Sequence, residues 1–82
     1  MDERKAVVYT SENCAQSRKV IQFLEHYQIS YVEKNVTGNE KYLKELQDQS
    51  IYGTPVVYVN QVYIQGYQKN RLAAAFHIDI ND

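Results

Sequence analysis

Hydrophobic spacing changes period abruptly at Cys14. Ahead of it, Lys5 to Thr10 reads KAVVYT, a β-branched and aromatic run of the kind that forms a buried strand, closed by the polar Ser11-Glu12-Asn13. Behind it, Val20, Ile21, Leu24 and Tyr27 recur at three- and four-residue steps, opposite Arg18, Gln22 and Glu25. That spacing predicts an amphipathic helix from Cys14 to about Tyr27, with Ser11 or Asn13 placed to cap its free backbone N–H groups. A strand that feeds directly into a helix points to an α/β chain.

The rest of the sequence extends the alternation. Ile29 to Val36, ISYVEKNV, reads as a second strand, and TGNE as a turn in which Asn39 caps a helix from Glu40 to Gln49. That helix carries Glu40/Lys44 and Lys41/Glu45 at i,i+4, with Leu43 and Leu46 as its apolar side. SIYGTP breaks it, and VVYVNQVYI then sets two β-rich halves around Asn60-Gln61, the pattern of a hairpin with a tight turn that tolerates positive φ. Gly66 ends the hairpin. Asn70 is placed to cap a last helix with Leu72, Ala75 and Phe76 pointing inward, and HIDIND reads as a tail. The predicted order is β-α-β-α-β-β-α: a four-stranded mixed sheet flanked by three helices, in which the first two strands are parallel and the hairpin is antiparallel.

Composition narrows what this layout can be. With 82 residues the chain makes one domain, 1–82, and a chain that short buries only about 60% of its unfolded surface. One cysteine excludes the small secreted scaffolds stapled by several disulfides and points to a reducing cytoplasm. The opening MDERKAVV is charged, and no stretch has the roughly 18 apolar residues of a membrane span. A net charge of -1 with interspersed signs leaves no basic face for nucleic acid or an anionic membrane. The eight tyrosines, with no tryptophan, are expected mostly in the core or half-buried on strands, where the hydroxyl reaches water.

The layout delivers Cys14 to the start of the first helix. Unpaired N–H groups and the helix dipole favour S⁻ there, and such positions lower a cysteine pKa from about 8.5 into the range of roughly 3.5 to 7.5. Arg18, one turn on, adds positive charge and Glu12 opposes it. Ser17 lies three residues along, on the same face, where its hydroxyl can donate to the sulfur but cannot resolve a disulfide. Against this stands the plain alternative that a free cysteine is a small buried hydrophobe. Pro55, the sole proline, precedes a strand, and its position alone favours an ordinary trans peptide bond, although an X-Pro bond is one of the few that can be cis. In the cis form Thr54 would present its backbone to an extended substrate. His26 and His77 lie apart from each other and from Cys14, so no metal site is expected.

Taken together, YTSENCAQS before a helix, GTPVV about forty residues later, Gly66-Tyr67 after the hairpin and the element order resemble the glutaredoxin family, on a thioredoxin-like fold, from about Lys5 to Phe76. The resemblance implies a nucleophilic Cys14 in a C-x-x-S motif completed by Ser17, a cis Thr54-Pro55 loop, and a substrate groove formed by Thr54, Pro55, Gly66 and Tyr67, walled by a tyrosine such as Tyr52 or Tyr67. It implies a thiol-disulfide oxidoreductase that reduces protein disulfides or protein-thiol mixed disulfides. No bound cofactor is implied; glutathione or another low-molecular-weight thiol is the co-substrate, or a thioredoxin-type reductase the reductant, and the protein is a monomer.

Tyr9-Thr10, Gln16 and Gly66-Tyr67 are locally similar to the redoxins that serve ribonucleotide reductase. Three positions depart from the family pattern. Ser17 replaces the second cysteine, Ser11 a common lysine, and Gln65-Gly66 a Gly-Gly pair, with Gln68 near the acidic residue that holds the glutathione amine. The first closes the dithiol cycle, and the other two weaken a glutathione site. Two other readings use the same fold: a non-catalytic peptide-binding module, and a monothiol iron-sulfur carrier, although Ala15-Gln16 stands where such carriers have Gly-Phe.

Overall fold

The computed structural model describes residues 6–79. Lys5, expected to open the first strand, and the last three residues of the expected tail lie outside them. The elements are β1 (Ala6–Thr10), α1 (Ala15–His26), β2 (Tyr31–Asn35), α2 (Glu40–Gln47), β3 (Val56–Val59), β4 (Val62–Gln65) and α3 (Lys69–Ala75). They form one sheet in the order β2-β1-β3-β4, with β1 parallel to β2 and antiparallel to β3, and β3 antiparallel to β4. This is the expected order and mixed topology.

Strand period divides the core between two faces. Ala6 and Val8 of β1, Val57 and Val59 of β3 and Ile64 of β4 point to one side, where α1 (Val20, Phe23, Leu24) and α3 (Leu72, Ala73, Phe76) cover them. Tyr9 and Val56, one residue out of phase, point to the other side and pack with Leu46 of α2. A single short helix covers that second face. Tyr58 and Tyr63, paired directly across β3 and β4 with ring centroids 4.5 Å apart, therefore remain half-buried on it. Of the eight tyrosines only Tyr9 is fully buried, six are half-buried, and Tyr52 is 76% exposed.

A charged cluster fastens α2 to the sheet. Tyr9 Oη donates to Glu45 Oε1 at 2.8 Å, and Lys34 Nζ of β2 binds the same oxygen at 3.0 Å. The ammonium also lies 5.5 Å from the Tyr9 ring centre and 5.4 Å from that of Tyr42.

Caps and turns explain where sequence and structure part. Asn39 caps α2 as expected, its Oδ1 accepting from Tyr42 N at 3.1 Å. Asn60 and Gln61 both have positive φ, 52° and 63°, so the tight hairpin turn is as expected. The other two caps differ. Cys14 itself is the N-cap of α1, because Asn13 is turned to φ 58° and cannot supply the extended backbone a cap needs. Gln68 is the N-cap of α3 and Asn70 lies inside that helix; the Gln68 side chain instead donates to the Gln65 carbonyl. Leu43 is 37% exposed and Leu46 is the one buried residue of α2. Ala73 takes the fully buried place expected for Ala75, which packs at the rim of the core.

Candidate functional site

The site forms where three chain segments meet at one end of the sheet. β1 ends at Thr10, and its continuation carries Cys14 to the start of α1 with φ -111° and ψ 106°. No side chain caps this helix, so its first N–H groups have no capping partner beside the half-buried sulfur. β3 begins just after the Thr54-Pro55 bond, which is cis. Because β3 runs antiparallel to β1, its start lies beside the end of β1. Ser11 and Thr54 hydroxyls are consequently 2.7 Å apart, and Cys14 Sγ lies 3.9 Å from the Thr54 carbonyl oxygen.

The third segment is the exit of β4. Gly66 N donates to Pro55 O at 2.7 Å, and Tyr67 N donates to Gln16 Oε1 at 3.4 Å. Gly66 holds φ +82°, where a side chain is strained, and a Cβ there would meet Gln16 Oε1 at 3.6 Å. Thus Cys14, Ser17, Thr54, Pro55, Gly66 and Tyr67, singled out from sequence, occupy one end of the molecule. Two details were not legible. The Tyr67 ring turns inward, 6.5 Å from Phe23 and edge-on at 71°, whereas Tyr52 is exposed. Ser11 and Gln16 tie the loops together through hydroxyl and carboxamide bonds that only the tertiary approach creates.

Electrostatics at the sulfur favour the anion. The thiol pKa is held below its ordinary value chiefly by the Ser17 hydroxyl; burial opposes this, and the Ser17 backbone N–H and the Thr54 and Ser11 side chains add to the lowering. Hydroxyls and an amide, rather than the Arg18 charge, lead. Ser17 is only 3% exposed, and its Oγ meets no partner within ordinary hydrogen-bond limits. The hydroxyl therefore has a proton to donate, and the neighbouring sulfur once ionised is the acceptor that proton lacks. As a thiol, Cys14 has a different partner, the Thr54 carbonyl.

A recess of about 310 Å³ opens next to this site between α1 and β2, with Ser17, Arg18 and Gln22 on one wall and Glu33 and Asn35 on the other. Among the described residues no group of three or more His, Cys, Asp and Glu side chains is gathered to hold a metal ion. No described helix is long and apolar enough to cross a membrane.

Comparison with known proteins agrees with this fold. The glutaredoxin family model matches residues 6–64. The thioredoxin-like protein BC3987 superposes with a TM-score of 0.81 at 29% identity, over 87% of this chain and 99% of that one. NrdH-redoxin from Escherichia coli, a glutaredoxin-like protein with a thioredoxin-like activity profile, superposes with a TM-score of 0.79 at 18% identity, covering 85% of this chain and 92% of its own. Among curated proteins, the global transcriptional regulator Spx 2 of Bacillus cereus is 42% identical over 41 residues, which is 50% of this chain and 31% of the regulator. The matched stretch thus spans less than a third of that relative. The architecture is the thioredoxin-like α/β fold.

Proposed function

The chain belongs to the glutaredoxin family, and we propose that it is a thiol-disulfide oxidoreductase working through Cys14 alone. The observation that carries the reading is the half-buried sulfur at the uncapped start of α1, with its pKa lowered by the Ser17, Thr54 and Ser11 hydroxyls. The thiolate attacks one sulfur of a protein disulfide or protein-thiol mixed disulfide. A bond forms between Cys14 Sγ and that sulfur, the original S–S bond breaks, and its other half leaves as a thiolate that takes a proton from water. A small thiol such as glutathione, or a thioredoxin-type reductase, then returns Cys14 to the free state. Ser17 stabilises the anion at the start and end of the cycle but supplies no second sulfur, so the resolving electrons come from outside the chain.

Substrate binding follows from the groove beside the sulfur. Thr54 offers backbone groups to an extended chain, Pro55 is buried and fixes that loop, and Gly66 lets a main chain pass where a Cβ would intrude. Tyr52, two residues ahead of Thr54 and with its ring exposed, is available to border that groove. The protein acts as a monomer in a reducing cytoplasm, with disulfide-bearing proteins as partners. The test is reduction of a protein-glutathione mixed disulfide with glutathione in excess, and separately with a thioredoxin-type reductase. Turnover above the uncatalysed rate is expected with one of them and none with Cys14→Ser. Activity that survives Cys14→Ser, or no activity with either reductant, rejects the reading.

A further inference from the structure

Three registers align four side chains into one row across the sheet: Val32 opposite Val7, Val7 opposite Tyr58, and Tyr58 opposite Tyr63. The row shares the phase of Tyr9 and Val56 and so lies on the α2 face. Leu46 seals Tyr9 and Val56 but not this row, which leaves Val32 exposed and Val7, Tyr58 and Tyr63 half-buried. Within the row the two phenols are bound together most closely. Gly66 N donates to the Pro55 carbonyl, so the bonded rungs of the β3–β4 ladder are Pro55/Gly66, Val57/Ile64 and Val59/Val62. Tyr58 and Tyr63 therefore form a rung without backbone bonds, the kind that brings opposite Cα atoms to about 4.5 Å. Their ring centroids are 4.5 Å apart with planes inclined at 39°, and among the described residues no other two tyrosine rings touch. Tyr27 and Tyr67 pack on Phe23 instead, and the Tyr9 and Tyr31 hydroxyls are held by Glu45 and Glu25.

We infer that Tyr58 and Tyr63 are an oxidative modification site, at which a peroxide-driven one-electron oxidant of the haem peroxidase class joins the two rings as dityrosine. Each phenol gives one electron to the oxidant and its hydroxyl proton to water, leaving two phenoxyl radicals. A carbon–carbon bond forms between the ring carbons next to the two oxygens, and the hydrogen displaced from each carbon returns to its oxygen through water. The two electrons and two protons reduce one hydrogen peroxide to two waters. Because the rings already touch, coupling within the chain has an effective concentration of about millimolar or more, whereas two chains must meet by diffusion. The new bond staples β3 to β4, the strands that lead from Pro55 and into Gly66. It does not involve Cys14 and is independent of the proposed thiol chemistry.

The test uses the full chain carrying Cys14→Ser and Tyr52→Phe, which remove the thiol and the exposed phenol as competing reductants. Treated dilute with a haem peroxidase and hydrogen peroxide, it is expected to give a product of one chain with dityrosine fluorescence and a mass lower by two hydrogens. In the tryptic peptide from Glu45 to Lys69, backbone breaks between Tyr58 and Tyr63 are expected to release no fragment ions. Adding Tyr58→Phe or Tyr63→Phe keeps the ring packing and is expected to cut the yield of that product by about tenfold or more, whereas Tyr67→Phe leaves it in place. No dityrosine, dityrosine only between chains, or a one-chain product whose yield survives either of the Tyr58 and Tyr63 variants overturns the site.

Discussion

Replacing Tyr9 by Phe removes one hydroxyl and leaves the ring that packs with Leu46 and Val56. Its partner, Glu45, keeps Lys34 at 3.0 Å, so the variant loses a hydrogen bond to a charged acceptor but not the ion pair. A bond of that kind in a sealed interior contributes about 1.5 to 3 kcal/mol. Glu45 is 33% exposed and water can replace part of it, which brings the expected loss to about 1 kcal/mol, or about 4 to 8 °C in Tm for a domain of this size. The assay is thermal unfolding at pH 7. Alkaline titration adds a signature that a mere packing defect lacks. Burial first, then the bond to Glu45, raise the Tyr9 pKa far above tyrosine's ordinary value of about 10. A raised folded pKa means the hydroxyl's contribution is complete below about pH 10 and is lost as pH climbs through the folded value. Tyr9→Phe should therefore flatten the alkaline fall in stability. An unchanged Tm together with an unchanged alkaline limb would refute this account of how α2 is held.

Three further outcomes follow from particular residues. Lys34, then Tyr9, lower the Glu45 pKa, so their contribution is present above the ordinary carboxylate value of about 4.3 and is lost as pH falls through the lower folded value; Lys34→Met should shrink that acid-side loss in a stability-pH profile. Asn39→Ala removes the bond to Tyr42 N and should cost about 0.5 to 2 kcal/mol in a denaturant melt, with Asn39→Asp close to the parent. Gly66→Ala forces a Cβ at φ +82° and should cost about 1 to 2 kcal/mol, with substrate turnover falling further than the stability loss explains if a chain passes that point.

Most of the architecture was legible because it rests on local signals. The change of period at Cys14, the Asn39 cap and the Asn60-Gln61 turn are each written in a few adjacent residues, and all seven elements stand where those signals put them. What failed were the choices a neighbour makes. Asn13 suits a cap by residue type, but its left-handed backbone hands that place to Cys14. Asn70 suits another, but the chain leaving Gly66 enters helical geometry earlier, at Lys69, with Gln68 as the cap. Leu43 fits the apolar side of α2 by spacing, yet an eight-residue helix lying over the two central strands seals only Leu46. The gathering of Cys14, Thr54, Pro55 and Gly66 came from family resemblance and not from spacing, since these residues are separated by up to 52 positions and only antiparallel pairing of β1 with β3 and β3 with β4 draws them together. The Ser11–Thr54 contact, the Gln16–Tyr67 bond and the recess at Ser17 have no signature in sequence at all.

The proposed chemistry depends on a sulfur that is ionised more readily than a free thiol. The direct measurement is the pH dependence of Cys14 alkylation by iodoacetamide, in the parent and in Ser17→Ala. The account predicts a midpoint below the free-thiol value of about 8.5 in the parent and a higher midpoint in Ser17→Ala, since the Ser17 hydroxyl is the leading influence that lowers it. A parent midpoint at or above the free-thiol value, or one that the loss of the hydroxyl leaves in place, would contradict it.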